Sequence, residues 1–237
     1  MEIKTYKKDA EYSYTLGAFP TIELLKTRPE EVLEVYVHST FTDTETIESL
    51  AKPYGIPVLR QDKIINKLSD KENCFVVGIF KKYKDILQKD KSHVVLVNPS
   101  NMGNMGTIIR TAIGFGIKNL AIISPGVDVF HPKTIRASMG ALFRINCQYF
   151  NSFEEYEAAY SNHEIFCFML NAKRQLTVNN CPKPKLFSLV FGNEATGLDD
   201  SFLQKGTSII IPQSEEVDSL NITIAAGVGM YLFTQNY

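Results

Sequence analysis

The chain has 237 residues, of which 44% are hydrophobic and 22% are charged, and its formal net charge is −1 at pH 7. This composition is typical of a globular protein with one large domain or two modest ones, and it argues against a protein that coats nucleic acid through bulk positive charge. No apolar run reaches the ~18 residues of a membrane helix, and the first residues lack the apolar core of a signal peptide.

The first 85 residues are predicted to form a small α/β domain, because helical and strand-like patterns alternate along them. Apolar residues follow helical spacing after Pro20, whereas the run from Leu33 to Val37 alternates like a strand. In chain order the predicted elements are a helix over Thr21–Lys26, a strand over Leu33–Val37, a helix over Thr44–Tyr54, a strand over Ile56–Leu59, a helix over Asp62–Leu68 and a strand over Phe75–Phe80.

The rest of the chain alternates more regularly between strands and helices. The charged stretch Lys81–Lys91 predicts a connecting helix or a linker. Beyond it, short β-branched runs alternate with helical segments, which predicts a mostly parallel sheet with helices on both faces. The predicted strands are Val94–Val97, Leu120–Ile123, Asn146–Phe150, Ile165–Leu170, Leu186–Phe191 and Thr207–Ile211, and the predicted helices are Gly106–Phe115, Lys133–Ala141, Ser152–Tyr160 and Asn221–Phe233.

Three polar segments interrupt this apolar half of the chain, and each directly follows a predicted strand. They are Asn98–Arg110, Phe191–Leu198, and a third segment that begins at Ile211-Pro212 and continues over Ser219–Ala226. In α/β sheets ligands bind at the carboxyl ends of strands, so the three segments predict one shared site. The glycines of the first segment do not fit the Gly-x-Gly-x-x-Gly pattern, which disfavours a Rossmann-type dehydrogenase or methyltransferase.

The order and content of these segments resemble the three motifs of the SpoU (TrmH-like) RNA ribose 2′-O-methyltransferases of the SPOUT superfamily, over residues 93–237. The resemblance implies an α/β domain with a deep trefoil knot, S-adenosylmethionine as cofactor, and a homodimer. Residues 1–85 resemble, more weakly, the ribosomal-protein-like RNA-binding domain that often precedes such catalytic domains. The predicted organisation is therefore a substrate-binding domain over residues 1–85, a linker over 86–92 and the knotted domain over 93–237.

The resemblance also assigns site residues, position by position. The pattern Asn-x-Gly-x-x-x-Arg is matched from Asn104 to Arg110. The implied catalytic residues are Asn104, Arg110, Glu194, Ser219 and Asn221. The implied cofactor-binding residues are Gly192, Ile211 and Leu220, to which the strand-end position adds Leu170 or Asn171.

For several of these residues, side-chain chemistry alone is consistent with more than one role. Asn104 and Ser219 are plausible helix N-caps, and Glu194 is able either to contact a ligand or to hold its own loop. Arg110 has a planar fork suited to phosphate, and a guanidinium keeps its proton, so it is a poor general base. We therefore favour phosphate positioning and stabilisation of a developing 2′-oxyanion, although the family is also described with this arginine activating the hydroxyl.

Basic residues outside the three segments are candidates for RNA contact. Lys4, Lys7 and Lys8 cluster at the start of the chain, whereas Lys133 and Arg136 share one face of a predicted helix and Arg144 follows it. For each of them, an ordinary solvated surface charge is the alternative reading.

The sequence therefore predicts an S-adenosylmethionine-dependent enzyme that methylates a ribose 2′-hydroxyl in structured RNA, with ribosomal RNA favoured over transfer RNA. The alternatives are a tRNA 2′-O-methyltransferase, a knotted enzyme that methylates a base, and a non-catalytic knotted RNA-binding or assembly protein. The four cysteines are widely spaced, which predicts reduced thiols in a cytoplasmic protein and no metal site.

Overall fold

The computed structural model describes residues 3–69 and 73–235, which fall into two compact units. The first unit comprises the chain up to Lys84 together with Asp128–Arg144, and the second comprises Asp85–Val127 and the chain from Ile145 onward. Among the described residues, no helix is long and apolar enough to cross a membrane.

Strands and helices alternate through most of the described chain, as the sequence predicts. The strands are β1 (Tyr12–Tyr14), β2 (Val32–Val37), β3 (Val58–Arg60), β4 (Val76–Lys81), β5 (His93–Val97), β6 (Asn119–Ile123), β7 (Asn146–Phe150), β8 (Glu164–Phe168), β9 (Arg174–Gln175), β10 (Phe187–Phe191) and β11 (Thr207–Ile210). The α-helices are α1 (Ala18–Thr27), α2 (Thr44–Ala51), α3 (Asp62–Leu68), α4 (Met102–Gly114), α5 (Pro132–Ala137), α6 (Phe153–Ala159) and α7 (Ile222–Thr234).

The first unit contains a four-stranded sheet in the order β1-β4-β2-β3. The β4 strand runs antiparallel to β1 and to β2, whereas β2 and β3 are parallel. Helix α1 begins after Gly17 and carries Pro20 in its first turn, where the missing N–H costs no helical hydrogen bond. The predicted helix over Thr44–Tyr54 is α2 followed by a 3₁₀ turn over Lys52–Tyr54, and Gly55 then adopts the left-handed conformation.

The segment Asp128–Arg144 belongs to the first unit, although the sequence-based boundaries place it in the second domain. Its contacts within that unit explain the difference. The Arg144 guanidinium pairs with the Glu23 carboxylate of α1 at 2.6 Å, and the rings of Phe143 and Phe80 meet edge to face at 5.3 Å. The predicted functional roles of the two domains are a separate matter and stay predictions.

The second unit is built on a seven-stranded sheet in the order β7-β6-β5-β10-β8-β11-β9. Every neighbouring pair in it is parallel, which confirms the predicted sheet. All residues of β6 and β10 are buried, as expected when both faces of a parallel sheet are covered. The trefoil knot that the resemblance implies stays a prediction.

Two short strands, β1 and β9, were not predicted, since three and two residues are too short to show a period. The segment between Lys81 and Ser92 contains no helix, so the linker reading of Lys81–Lys91 is correct and the helix reading is wrong. Ser152 caps α6 as predicted, because its hydroxyl accepts a hydrogen bond from the Glu155 N–H at 3.2 Å.

Candidate active site

The three polar segments meet at the carboxyl edge of the seven-stranded sheet. Strand β10 lies between β5 and β8, and β11 lies on the other side of β8, so the loops that follow these parallel strands emerge together. The loops after β8, β10 and β11 enclose a cleft within the second unit. Its lining residues are Phe168, Met169, Leu170, Phe191–Gly197, Ile209–Ile211, Gln213, Ser219, Leu220, Ile222 and Ala225.

One wall of the cleft is apolar and the other is polar. Phe168 and Phe191 stack at 4.3 Å between ring centroids with planes 23° apart, and Ile209, Ile211 and Leu220 extend the apolar surface. The polar wall is the loop from Gly192 to Gly197, which offers backbone and side-chain hydrogen-bonding groups. An apolar slot beside polar backbone fits the flat base and polar ribose of an adenosyl group.

The loop after β10 closes tightly on itself between Gly192 and Gly197. The Asn193 N–H donates to the Gly197 carbonyl at 3.2 Å, and the Gly197 N–H donates back to the Asn193 carbonyl at 2.9 Å. A Cβ on Gly192 would overlap the Gly197 backbone, and Gly197 has φ +68°. The close approach expected at Gly192 therefore involves its own loop as well as the cleft that it lines.

Glu194 fastens this loop to the loop that follows β5. Its carboxylate accepts hydrogen bonds from the Ser100 N–H at 3.0 Å, the Ser100 hydroxyl at 2.7 Å and the Asn101 N–H at 3.1 Å. The Asn104 side-chain amide donates a longer bond at 3.4 Å. Partial burial alone would raise the pKa of the Glu194 carboxyl, but the hydrogen bonds from Ser100 and Asn101 outweigh it and hold the pKa below its usual value.

The residue that caps α4 is Asn101, so the N-cap reading of Asn104 is wrong. The Asn101 side-chain oxygen accepts from the Gly103 N–H at 2.8 Å and from the Asn104 N–H at 3.0 Å. The sequence repeats Asn-Met-Gly in tandem from Asn101 to Gly106, which places two chemically suitable caps three residues apart. Asn104 therefore lies inside the first turn of α4, with its side chain near Glu194.

The N-cap reading of Ser219 is wrong for a similar reason. Asn221 caps α7, because its side-chain oxygen accepts from the Thr223 N–H at 2.8 Å and from the Thr223 hydroxyl at 2.7 Å. Ser219 instead lines the cleft beside Leu220. Helix α7 therefore begins two residues later than a cap at Ser219 would place it. Its actual cap, Asn221, is also one of the residues that the resemblance assigns to catalysis.

The structure brings most of the predicted site residues together. Leu170, Gly192, Ile211, Leu220, Glu194 and Ser219 line one cleft. Asn104 joins this group through Glu194, whereas Asn171 instead donates to the Asp200 carboxylate at 2.8 Å. Their roles in binding or chemistry stay predictions.

Arg110 is exposed on α4 and stands apart from this cluster. Six residues of helix separate it from Asn104, a rise of roughly 9 Å along the axis and about 120° around it. Its side chain has no hydrogen bond or ion pair among residues 3–69 and 73–235. The guanidinium is therefore available to an external ligand.

The predicted RNA contacts all belong to the first unit. Lys4, Lys7, Lys8 and Lys133 are exposed, whereas Arg136 is half-buried. The pairing of Arg144 with Glu23 at 2.6 Å engages part of its hydrogen-bonding capacity.

Sequence reasoning missed three residues that build the site: Ser100, Asn101 and Asn193. The Asn193 amide donates to the Asn98 carbonyl at 2.7 Å, and its side-chain oxygen accepts from the Ala195 N–H at 2.8 Å. The signal was present in the sequence, because all three residues lie within the first two polar segments, but none of them was assigned a role there.

Comparisons with known proteins agree with this geometry. Residues 91–231 match the model of the SpoU rRNA Methylase family. The chain is 25% identical over 211 residues to the 23S rRNA (adenosine(1067)-2′-O)-methyltransferase of Streptomyces azureus, a match that covers 85% of this chain and 78% of that protein. The chain spans about half the length of other curated relatives, which it matches at 28% and 30% identity.

Two solved structures are also similar. The S-adenosylmethionine (AdoMet)-bound rRNA methyltransferase from Sinorhizobium meliloti superposes with a TM-score of 0.78 at 24% identity, over 94% of this chain and 86% of that one. A structure described as giving insight into the 2-OH methylation of C/U34 on tRNA has a TM-score of 0.54 at 26% identity, over 61% of this chain and 94% of that one. The first comparison covers both units and the second little more than one.

Proposed function

The chain belongs to the SpoU rRNA methylase family, and from this premise we propose that it transfers a methyl group from S-adenosylmethionine to a ribose 2′-hydroxyl of RNA. The observation that carries the proposal is that the second and third family segments line one cleft, to which the first segment is joined by the hydrogen bonds from Ser100 and Asn101 to Glu194. Similarity to a protein named as a 2′-O-methyltransferase over 85% of the chain supports it.

The cleft provides what the cofactor requires. S-adenosylmethionine supplies, when bound, a methyl group on a positively charged sulfur. Ile211 and Leu220 offer apolar contact to an adenine, while the polar loop from Gly192 to Gly197 offers hydrogen-bonding groups to a ribose. We place the cofactor in this cleft for that reason.

The remaining task of the site is to orient a ribose hydroxyl and relieve it of its proton. A neutral hydroxyl is a weak nucleophile, so alignment with the methyl group and stabilisation of the developing charge both matter. Arg110 is suited to hold the neighbouring phosphate and to stabilise the 2′-oxyanion, because its fork is planar and always charged. The Glu194 carboxylate already accepts hydrogen bonds from Ser100 and Asn101, so we assign it to holding the site.

We further propose that ribosomal RNA is the substrate and that the first unit selects it. The ribosomal-protein-like pattern of residues 1–85 and the exposed Lys7 and Lys8 support this choice. The second candidate is transfer RNA, favoured by the similarity of 61% of this chain to a structure concerned with tRNA methylation. The cytoplasmic location inferred from the cysteines stays a prediction.

We also propose a homodimer through α4 and α7, since family members pair through the knot and complete each other's sites. Ile224 and Tyr231 of α7 are 55% and 44% exposed, and the Tyr231 ring lies 5.9 Å from the ring of Phe115 at the end of α4. Exposed apolar surface of this kind commonly marks an interface. A monomer at micromolar concentration by light scattering would refute this part of the proposal.

Calorimetry with S-adenosylhomocysteine in the presence of a chelator tests the assignment of the cleft. We expect binding at one site per chain, and Leu220→Asp should abolish it by placing a carboxylate in the apolar wall. Failure of the folded wild-type protein to bind would contradict the enzyme reading.

A further inference from the structure

The segment Asn98–Asn101, which precedes the Asn-x-Gly-x-x-x-Arg pattern within the first family segment, joins the start of α4 to the loop after β10. Ser100 contributes two donors to the Glu194 carboxylate, its N–H at 3.0 Å and its hydroxyl at 2.7 Å. The next residue, Asn101, gives its N–H to the same carboxylate and caps α4 with its side chain. One short segment therefore fixes both the start of α4 and the loop after β10.

We propose that Ser100 is a positioning residue for methyl transfer: by holding Glu194, it sets the start of α4, and with it Asn104, against the cofactor-side loop from Gly192 to Gly197, and so fixes the helix that carries Arg110. The expected effect of Ser100 on methyl transfer rests on the proposed function. The link that Ser100 makes between the two loops does not depend on that function.

The geometry favours a holding role for the Glu194 carboxylate over a reacting one. Four donors surround it, and three of them lie within 3.1 Å. A carboxylate with so many donors has a low proton affinity, so it is a poor acceptor for the proton of a ribose hydroxyl. The same bonds make it a strong link, because hydrogen bonds to an ionised group are stronger than neutral ones.

The link is needed because the two loops follow different strands. The Gly192–Gly197 loop follows β10, while Asn98–Asn101 follows β5, and 90 residues separate Glu194 from Asn104. A second bond, from the Asn193 amide to the Asn98 carbonyl at 2.7 Å, ties the bases of the loops. The Ser100 hydroxyl makes the shortest of the Glu194 contacts, and a single side-chain substitution removes it.

Substitution at Ser100 is suited to a test because the residue is exposed. Ser100→Ala removes the hydroxyl and keeps both backbone donors. Ser100→Thr restores the hydroxyl. Ser161→Ala is the matched control, since Ser161 is an exposed serine of the same unit in the turn after α6.

The experiment measures three quantities on the full chain: the kcat and KM for RNA methylation, the Kd for S-adenosylhomocysteine, and the amide hydrogen exchange of Asn193–Gly197. For Ser100→Ala we expect kcat to fall about tenfold, as for loss of one hydrogen bond to a charged group. We expect KM and Kd to change less than threefold and exchange in the loop to accelerate. Ser100→Thr and Ser161→Ala should behave like the wild type.

Different results overturn the inference. It is wrong if Ser100→Ala keeps kcat and loop exchange within twofold of the wild type, or if Ser100→Thr is as impaired as Ser100→Ala. If the wild type itself binds S-adenosylhomocysteine but methylates no RNA, the proposed function fails instead. In that case the exchange rates alone decide whether Ser100 holds the loop.

Discussion

Gly192 and Gly197 lie so close together that a side chain on Gly192 would overlap the Gly197 backbone. The loop between them carries Glu194 and forms the polar wall of the cleft. This close approach therefore shapes the polar side of the cleft, and the hydrogen bonds from Ser100 and Asn101 then hold the Glu194 carboxylate against the start of α4.

Gly192→Ala should open this loop and weaken S-adenosylhomocysteine binding at least tenfold, because the added methyl group cannot be accommodated without moving the Gly197 backbone. Calorimetry measures the affinity, and circular dichroism checks that the sheet is retained. Gly114→Ala is the matched control. A Cβ at Gly114 would meet no described atom within 4 Å, and alanine favours its helix. Equal affinities for the two variants would contradict the prediction.

Arg110→Ala should leave the affinity for S-adenosylhomocysteine nearly unchanged and lower turnover by roughly 10²–10³, the cost of losing one charge-stabilising donor. Arg110→Lys should not restore the rate, because an ammonium group cannot replace a planar fork. Single-turnover kinetics on the identified RNA measures the effect, and Arg174→Ala, an exposed arginine on the edge strand β9, controls for loss of charge. Near-normal turnover in Arg110→Ala would remove Arg110 from the mechanism.

Asn101→Ala should lower the free energy of unfolding by about 1 kcal/mol, because it removes the side chain that caps α4. Asn104→Ala should change it by only a few tenths of a kcal/mol, because Asn104 lies within the helix and its amide makes one long bond of 3.4 Å. Urea unfolding of the two variants compares them directly. A larger loss for Asn104→Ala would restore Asn104 as the cap.

His93 should make the protein less stable in acid. It is fully buried at the start of β5, where its Nε2 lies 2.9 Å from the Gln88 carbonyl and its Nδ1 lies 2.9 Å from the Tyr156 hydroxyl. Burial is the main cause that lowers its pKa from 6.5 to about 4. The hydrogen bond to the Gln88 carbonyl raises the pKa and the nearby His163 lowers it, and both effects are smaller than that of burial. The folded state therefore binds fewer protons than the unfolded state between these two values, and stability falls as the pH drops from about 6.5 towards 4.

The expected loss between pH 7.5 and 5 is about 2 kcal/mol from this residue. His93→Gln, which keeps a polar side chain without the titration, should show a correspondingly smaller difference between urea unfolding at pH 7.5 and at pH 5. The same pH dependence in the variant as in the wild type would show that other groups cause it.

The fold of the second unit could be predicted because its signals are local. Val94–Val97 and Leu120–Ile123 are continuous apolar runs, and their length and spacing indicate buried parallel strands. The position of the cleft could be predicted as well, because Leu170, Gly192 and Ile211, which line it, all lie at or just after the ends of predicted strands.

The cap of α4 could not be chosen from the sequence, because the choice depends on a distant partner. Asn101 and Asn104 are equivalent in type, and Glu194, remote in sequence, bonds the N–H groups of Ser100 and Asn101 ahead of the helix. The placement of Asp128–Arg144 in the first unit likewise depends on a long-range contact, the pairing of Arg144 with Glu23.

The central claim is that the site methylates a ribose hydroxyl of RNA. In the most direct test, the protein is incubated with S-adenosylmethionine labelled in the methyl group and with total RNA in which the target nucleotide is not yet methylated. The RNA is then digested and the labelled nucleoside is identified. We predict a 2′-O-methylated nucleoside at one mapped position, with an initial rate of labelling that is roughly 10²–10³ lower in Arg110→Ala. Label on a base, or no label from a protein that binds S-adenosylhomocysteine, would contradict the claim.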